Sequence, residues 1–87
     1  MKYVVIVDTN PCEIVRSGGY MCMRWRAGSS QFSPDKYCHQ VAGTPLRDVP
    51  GHSWSLIGQW PTNTAIVQLT FPVRTDVQAE EFVFRYV

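Results

Sequence analysis

Cys38 and His39 bring a thiol and an imidazole closer together than any other pair in the sequence. A thiolate with a base at hand is a nucleophile that several enzyme classes use. Adjacent residues project in different directions on a strand or a helix, so His52 is the alternative partner that would have to approach Cys38 in space. No recognised local signature surrounds the cysteine. The competing reading is a buried small thiol beside an exposed histidine. A second chemistry would gather Cys12, Cys22 and Cys38 with one histidine around a metal. Structural zinc sites bring their ligands in close pairs, because a tight knuckle orients two donors at once. Here nine and fifteen residues separate successive cysteines, so no such knuckle exists. No metal and no cofactor is expected.

Arg24-Trp25-Arg26, followed by Gly28-Ser29-Ser30, has the residue types that hold nucleic acid. Arginine neutralises phosphate, aromatic rings stack on bases, and backbone N–H groups of small residues meet anions. Strand alternation, however, sets Trp25 on the opposite face from both arginines, which is the pattern of an ordinary amphipathic strand. Neither a Walker loop nor a dinucleotide fingerprint is present. The carboxylates Asp8, Asp35, Asp48, Glu80 and Glu81 show no paired-acid pattern of the kind a hydrolase needs.

The elements that must position these residues are short. Six glycines and six prolines divide the chain into brief apolar runs, a punctuation that favours strands. Lys2 to Asp8 reads as a first strand with apolar residues on both faces, as in a central strand. Glu13 to Arg16 and Tyr20 to Arg26 read as a hairpin around Ser17-Gly18-Gly19. In its second arm Met21, Met23 and Trp25 alternate with Cys22, Arg24 and Arg26. Ser33 as cap, Pro34, Asp35 and a terminating Gly43 predict a helix of about ten residues with Tyr37, Cys38 and Val41 on its apolar stripe. Ser53 to Trp60 and Ala65 to Phe71 read as a second hairpin. Thr75 and Gln78 suit the cap of a single helical turn, and Glu81 to Val87 reads as the last strand. The expected fold is α+β, a small, mostly antiparallel sheet of five or six strands with one or two short helices, forming a single domain over residues 1–87.

Composition narrows the function classes. The chain has 87 residues, 45% of them hydrophobic and only 17% charged, which argues against disorder. A net charge of +1 supplies no strong field toward nucleic acid or an anionic membrane. Six of the eight cations are arginine, the better donor for planar carboxylates and phosphates. An odd cysteine count, no secretory signal and no apolar stretch near the ~20 residues of a membrane span place the expected protein in a reducing cytoplasm. Eleven aromatic residues are many for one small core, so some rings are expected at a partner interface or in a homodimer.

No family motif stands in the sequence. The profile of small size, free thiols and no catalytic signature resembles that of many phage or mobile-element inhibitor proteins, anti-CRISPR and other anti-defence proteins among them. That resemblance attaches to no single residue and implies a small inhibitor. The leading expectation is therefore a non-enzymatic binding protein that blocks a surface on a larger host protein or nucleoprotein. Arg24, Arg26, Trp54, Trp60 and Arg74 are its candidate contacts. The alternatives are a thiol- or metal-dependent enzyme using Cys38 with His39 or His52, and a nucleic-acid accessory protein.

Overall fold

The computed structural model describes residues 3–28, 36–58 and 65–87. Its strands are β1 (Tyr3–Val7), β2 (Glu13–Ser17), β3 (Tyr20–Gly28), β4 (Cys38–Val41), β5 (Thr44–Pro45), β6 (Ser53–Ile57), β7 (Ala65–Pro72) and β8 (Phe82–Tyr86). They form two sheets of four strands, in the orders β5-β4-β1-β8 and β2-β3-β7-β6. The second sheet is antiparallel throughout. In the first, β1 runs antiparallel to β4 and parallel to β8.

The expectation of an α+β fold with one sheet of five or six strands is corrected. The protein is mostly β, with 60% strand and no helix of seven or more residues among the described residues. Within the described residues, 3₁₀ turns span Leu46–Asp48 and Ala79–Glu81. The correction centres on the segment expected to be a helix ending at Gly43. Its capping residues Ser33, Pro34 and Asp35 lie outside the described residues. Of its apolar stripe, however, Cys38 and Val41 lie in strand β4, opposite Val7 and Val5, and Tyr37 precedes that strand. Ala42 and Gly43 both have positive φ, +50° and +84°, so the chain turns back at once into β5. Two consecutive residues at positive φ define the hairpin turn whose twist matches paired strands. Gly43 is thus a turn residue and not a helix terminator. The turn near Thr75 is displaced as well: the Gln78 N–H donates to the Glu81 carboxylate at 2.9 Å, and the 3₁₀ turn follows at Ala79–Glu81. That bond is the leading reason the Glu81 carboxyl titrates below its ordinary range.

Alternation builds the core. Val5 and Val7 of β1, Met21, Met23 and Trp25 of β3, and Leu69 and Phe71 of β7 are fully buried and belong to one cluster. Cys38, Val41, Leu46, Val49, Val73 and Val77 complete it, so both sheets and two connecting segments share a single apolar interior. Tyr37 and Trp54 pack against it, forming with Trp25 a triangle of rings with centroids 5.6, 6.0 and 6.5 Å apart. The buried indole is satisfied, because Trp25 Nε1–H donates to the Thr9 carbonyl at 2.8 Å. At the far end of the β2–β3 hairpin Arg16 donates to the carbonyls of Gly18, Tyr20, Arg74 and Val77. One guanidinium therefore fastens the hairpin to the segment after β7. No described helix is long and apolar enough to cross a membrane.

Candidate protein-binding face

The period of two that buries Met21, Met23 and Trp25 turns Cys22, Arg24 and Arg26 outward. Register then decides what those residues meet. Across the β2-β3-β7-β6 sheet, Glu13, Arg24, Gln68 and Ser55 lie in one row. Val15, Cys22, Thr70 and Ser53 lie in the next. Arg26, Ile66 and Ile57 form the row at the other side of Arg24.

Side chains in these rows are hydrogen-bonded across strands. Arg24 donates through Nε to Gln68 Oε1 at 2.8 Å and through Nη1 to the Glu13 carboxylate. Gln68 donates in turn to Thr70 Oγ1 at 3.4 Å, and the Cys22 thiol lies 3.5 Å from that hydroxyl. Arg24 is thereby neutralised and held. Arg26 is exposed and makes no such bond within the described residues. Cys12, Glu13, Arg24, Arg26, Ile57 and Ile66 line a shallow depression of about 310 Å³. It sets the Arg26 guanidinium, which has no partner among the described residues, beside two adjacent isoleucines.

Of the five expected contacts, the four within the described residues do not converge. Arg24 and Arg26 share this face. Trp54 faces the other way, half-buried against Trp25 and Tyr37 beside the core. Arg74 lies beyond the opposite end of β7, where it forms a two-pronged ion pair with Asp76 at 3.0 and 2.6 Å. Trp60 lies outside the described residues. Ile57 and Ile66 escaped the sequence reading because each is unremarkable by itself. Their pairing across β6 and β7 brings them together beside Arg26. The alternation within Ala65–Phe71, which turns Ile66 outward, was the available signal.

The thiol–imidazole chemistry finds no assembled site. Cys38 is buried, and that burial pushes its thiol up to about 12 despite a weak bond to the Gln40 carbonyl. A thiol at that value contributes essentially no thiolate near neutral pH. His39 is exposed on the bulged stretch of β4 and bonds Asp8 Oδ1 through Nε2 at 2.8 Å. His52 engages the Val49 carbonyl through Nδ1 at 2.8 Å. Among the described residues no three His, Cys, Asp or Glu side chains gather where a metal could sit. All three thiols are free: Cys12 is exposed, Cys22 intermediate and Cys38 buried. The chain matches no protein-family model, no curated protein and no solved structure.

Proposed function

We propose that this chain is a non-enzymatic binding protein that covers a surface on a larger protein, using the outer face of the β2-β3-β7-β6 sheet. The observation that carries the reading is Arg26, a cation with no partner among the described residues, beside Ile57 and Ile66 paired across β6 and β7. Arginine next to exposed aliphatic area is the composition of an interface anchor with its apolar surround. The complementary surface is a carboxylate flanked by apolar side chains. Arg24 contributes by holding Glu13 and Gln68 in place, so the rim is ordered before binding and loses little entropy on contact. Function follows by steric blocking: a flat, fixed face excludes whatever else uses the covered surface.

The inhibitor and anti-defence roles suggested by the chain's general profile belong to this reading as the class of partner to test. Nucleic acid is less well served. Arg24 is already compensated by Glu13, which leaves Arg26 as the guanidinium on this face without a partner among the described residues, and each neutralised phosphate adds only about one unit of salt dependence. Thiol catalysis is disfavoured by the protonated, buried Cys38.

Capture from the lysate of a candidate host tests the reading, with the wild-type chain, Arg26→Glu and Ile66→Asp as parallel baits. One stoichiometric protein should be retained by the wild type and lost from both variants while each variant keeps its circular dichroism spectrum. Retention of that protein by folded Arg26→Glu would place the contact elsewhere.

A further inference from the structure

Within the described residues, the other sheet ends on a strand paired on one side. Among the described residues β8 pairs with β1 and with no other strand. The parity of its backbone is fixed by two bonds: Val87 N–H donates to the Val7 carbonyl at 3.1 Å, and Ala42 N–H donates to the Val4 carbonyl at 2.7 Å. Residues 3, 5 and 7 of β1 therefore address β8, while Val4 addresses the β4 side. On β8 the groups of Val83, Arg85 and Val87 turn toward β1. Those of Phe82, Phe84 and Tyr86 point out of the sheet's edge.

The same three residues carry side chains on the core side of the sheet. Phe82, Phe84 and Tyr86 stand opposite Tyr3, Val5 and Val7, the inward residues of β1. Phe82 and Phe84 pack against the core yet are only partly buried. Tyr86 is 55% exposed. Among the described residues the core is thus incompletely covered along one line, at the place where the backbone also has no strand partner. Natural edge strands are protected by lysine, proline, bulges or brevity. β5 is two residues long and contains Pro45, and β2 carries Glu13 and Arg16. β6 borders the face already assigned to a partner. β8, Phe-Val-Phe-Arg-Tyr, has neither lysine nor proline.

We infer that β8 is a self-association edge, and that its occupant is β8 of a second copy, paired antiparallel about a two-fold axis at Phe84. Self-complementarity singles out that occupant. With Phe84 opposite Phe84, Phe82 faces Tyr86 of the other copy, and each of these residues has its N–H and C=O turned outward to exchange. All three become hydrogen-bonded pairs, and their rings form cross-strand aromatic contacts over the exposed line of the core. On the opposite side of the sheet Val83 faces Arg85 of the other copy, so the only charge of the strand never meets its like. The isologous pairing joins two four-stranded sheets into one of eight and leaves the β2-β3-β7-β6 face of each copy free.

Sedimentation velocity on the full chain tests this. Because a five-residue strand pair buries less than a stable dimer's about 1,200 Å², association belongs in the range of about 10 μM to about 1 mM. The sedimenting mass should double across that range. Tyr86→Pro removes an N–H that points out of the edge, a position where proline is compatible with pairing to β1. It should raise the dimer dissociation constant at least tenfold. Val83→Lys sets like charges across the axis and should weaken the dimer, whereas Val83→Glu should strengthen it, the gain vanishing in high salt. The Val83 pair reports even if Tyr86→Pro fails to fold, since Val83 lies on the side of the sheet away from the core. A wild type that stays monomeric at the highest concentration overturns the inference. So does a dimer unmoved by both charges at position 83, because its contact then lies elsewhere.

Discussion

Two arginines two residues apart have different tasks. Arg24 spends its charge on Glu13 and its Nε on Gln68, stapling β2, β3 and β7 from the outside. Arg24→Ala should lower the unfolding free energy by about 1 kcal/mol, the worth of a partly exposed charged hydrogen-bond set, as chemical denaturation would show. No effect would mean that the bonds are replaced by water. The thiols divide in the same way. Burial keeps the Cys38 proton on up to about 12 in the folded protein, whereas the unfolded thiol loses it near its ordinary 9.0. The folded state therefore binds the extra proton between those values. Its stabilisation is complete below pH 9 and is lost as pH rises toward 12, with a slope of at most about 1.4 kcal/mol per pH unit. Comparing wild type with Cys38→Ala by denaturation at pH 8 and pH 10 should show the wild type losing more. A neutral thiol probe should label exposed Cys12 well before Cys38, and the reverse order would contradict the burial of Cys38.

At the scale of elements, much of the pattern was legible. The β2–β3 hairpin, the β6–β7 pair and both terminal strands follow from period-two alternation and from the glycines and prolines between them. The segment at Tyr37–Gly43 was not legible. Tyr37, Cys38 and Val41 fit a helical stripe as well as a short strand, and four residues are too few for periodicity to decide. What decided was tertiary: β1 is flanked by β4, which supplies antiparallel bonds that a lone short helix would have lacked. Closing the loop before β6 demands Gly51, at φ +74°, where an added Cβ would fall 2.8 Å from Pro72 Cγ. Gly51→Ala should cost about 1–3 kcal/mol, because the left-handed backbone and the rigid proline ring leave no relief. Thermal unfolding measures it. An unchanged midpoint would show that the Gly51–Pro72 contact is not tight.

The division of labour across the whole molecule rests on two sheets sharing one core. One sheet turns a hydrogen-bonded face outward, and the other ends in the unprotected β8. Sequence reasoning found Arg24 and Arg26 as a pair because alternation along one strand is local. Ile57, Ile66 and Glu13 became part of the same face only through register between strands distant in sequence, which no single segment encodes. The same limit explains why Trp54 and Arg74 were grouped with them: residue type suggests an anchor, but only topology places one ring inward and one guanidinium on Asp76. The most direct test of the proposed binding face is the affinity of a captured partner protein for three chains, wild type, Arg26→Ala and Arg74→Ala, measured by calorimetry. Arg26→Ala should weaken binding at least tenfold, about 1.4 kcal/mol, with Arg74→Ala close to wild type. Equal affinities for wild type and Arg26→Ala would contradict the assignment of this face.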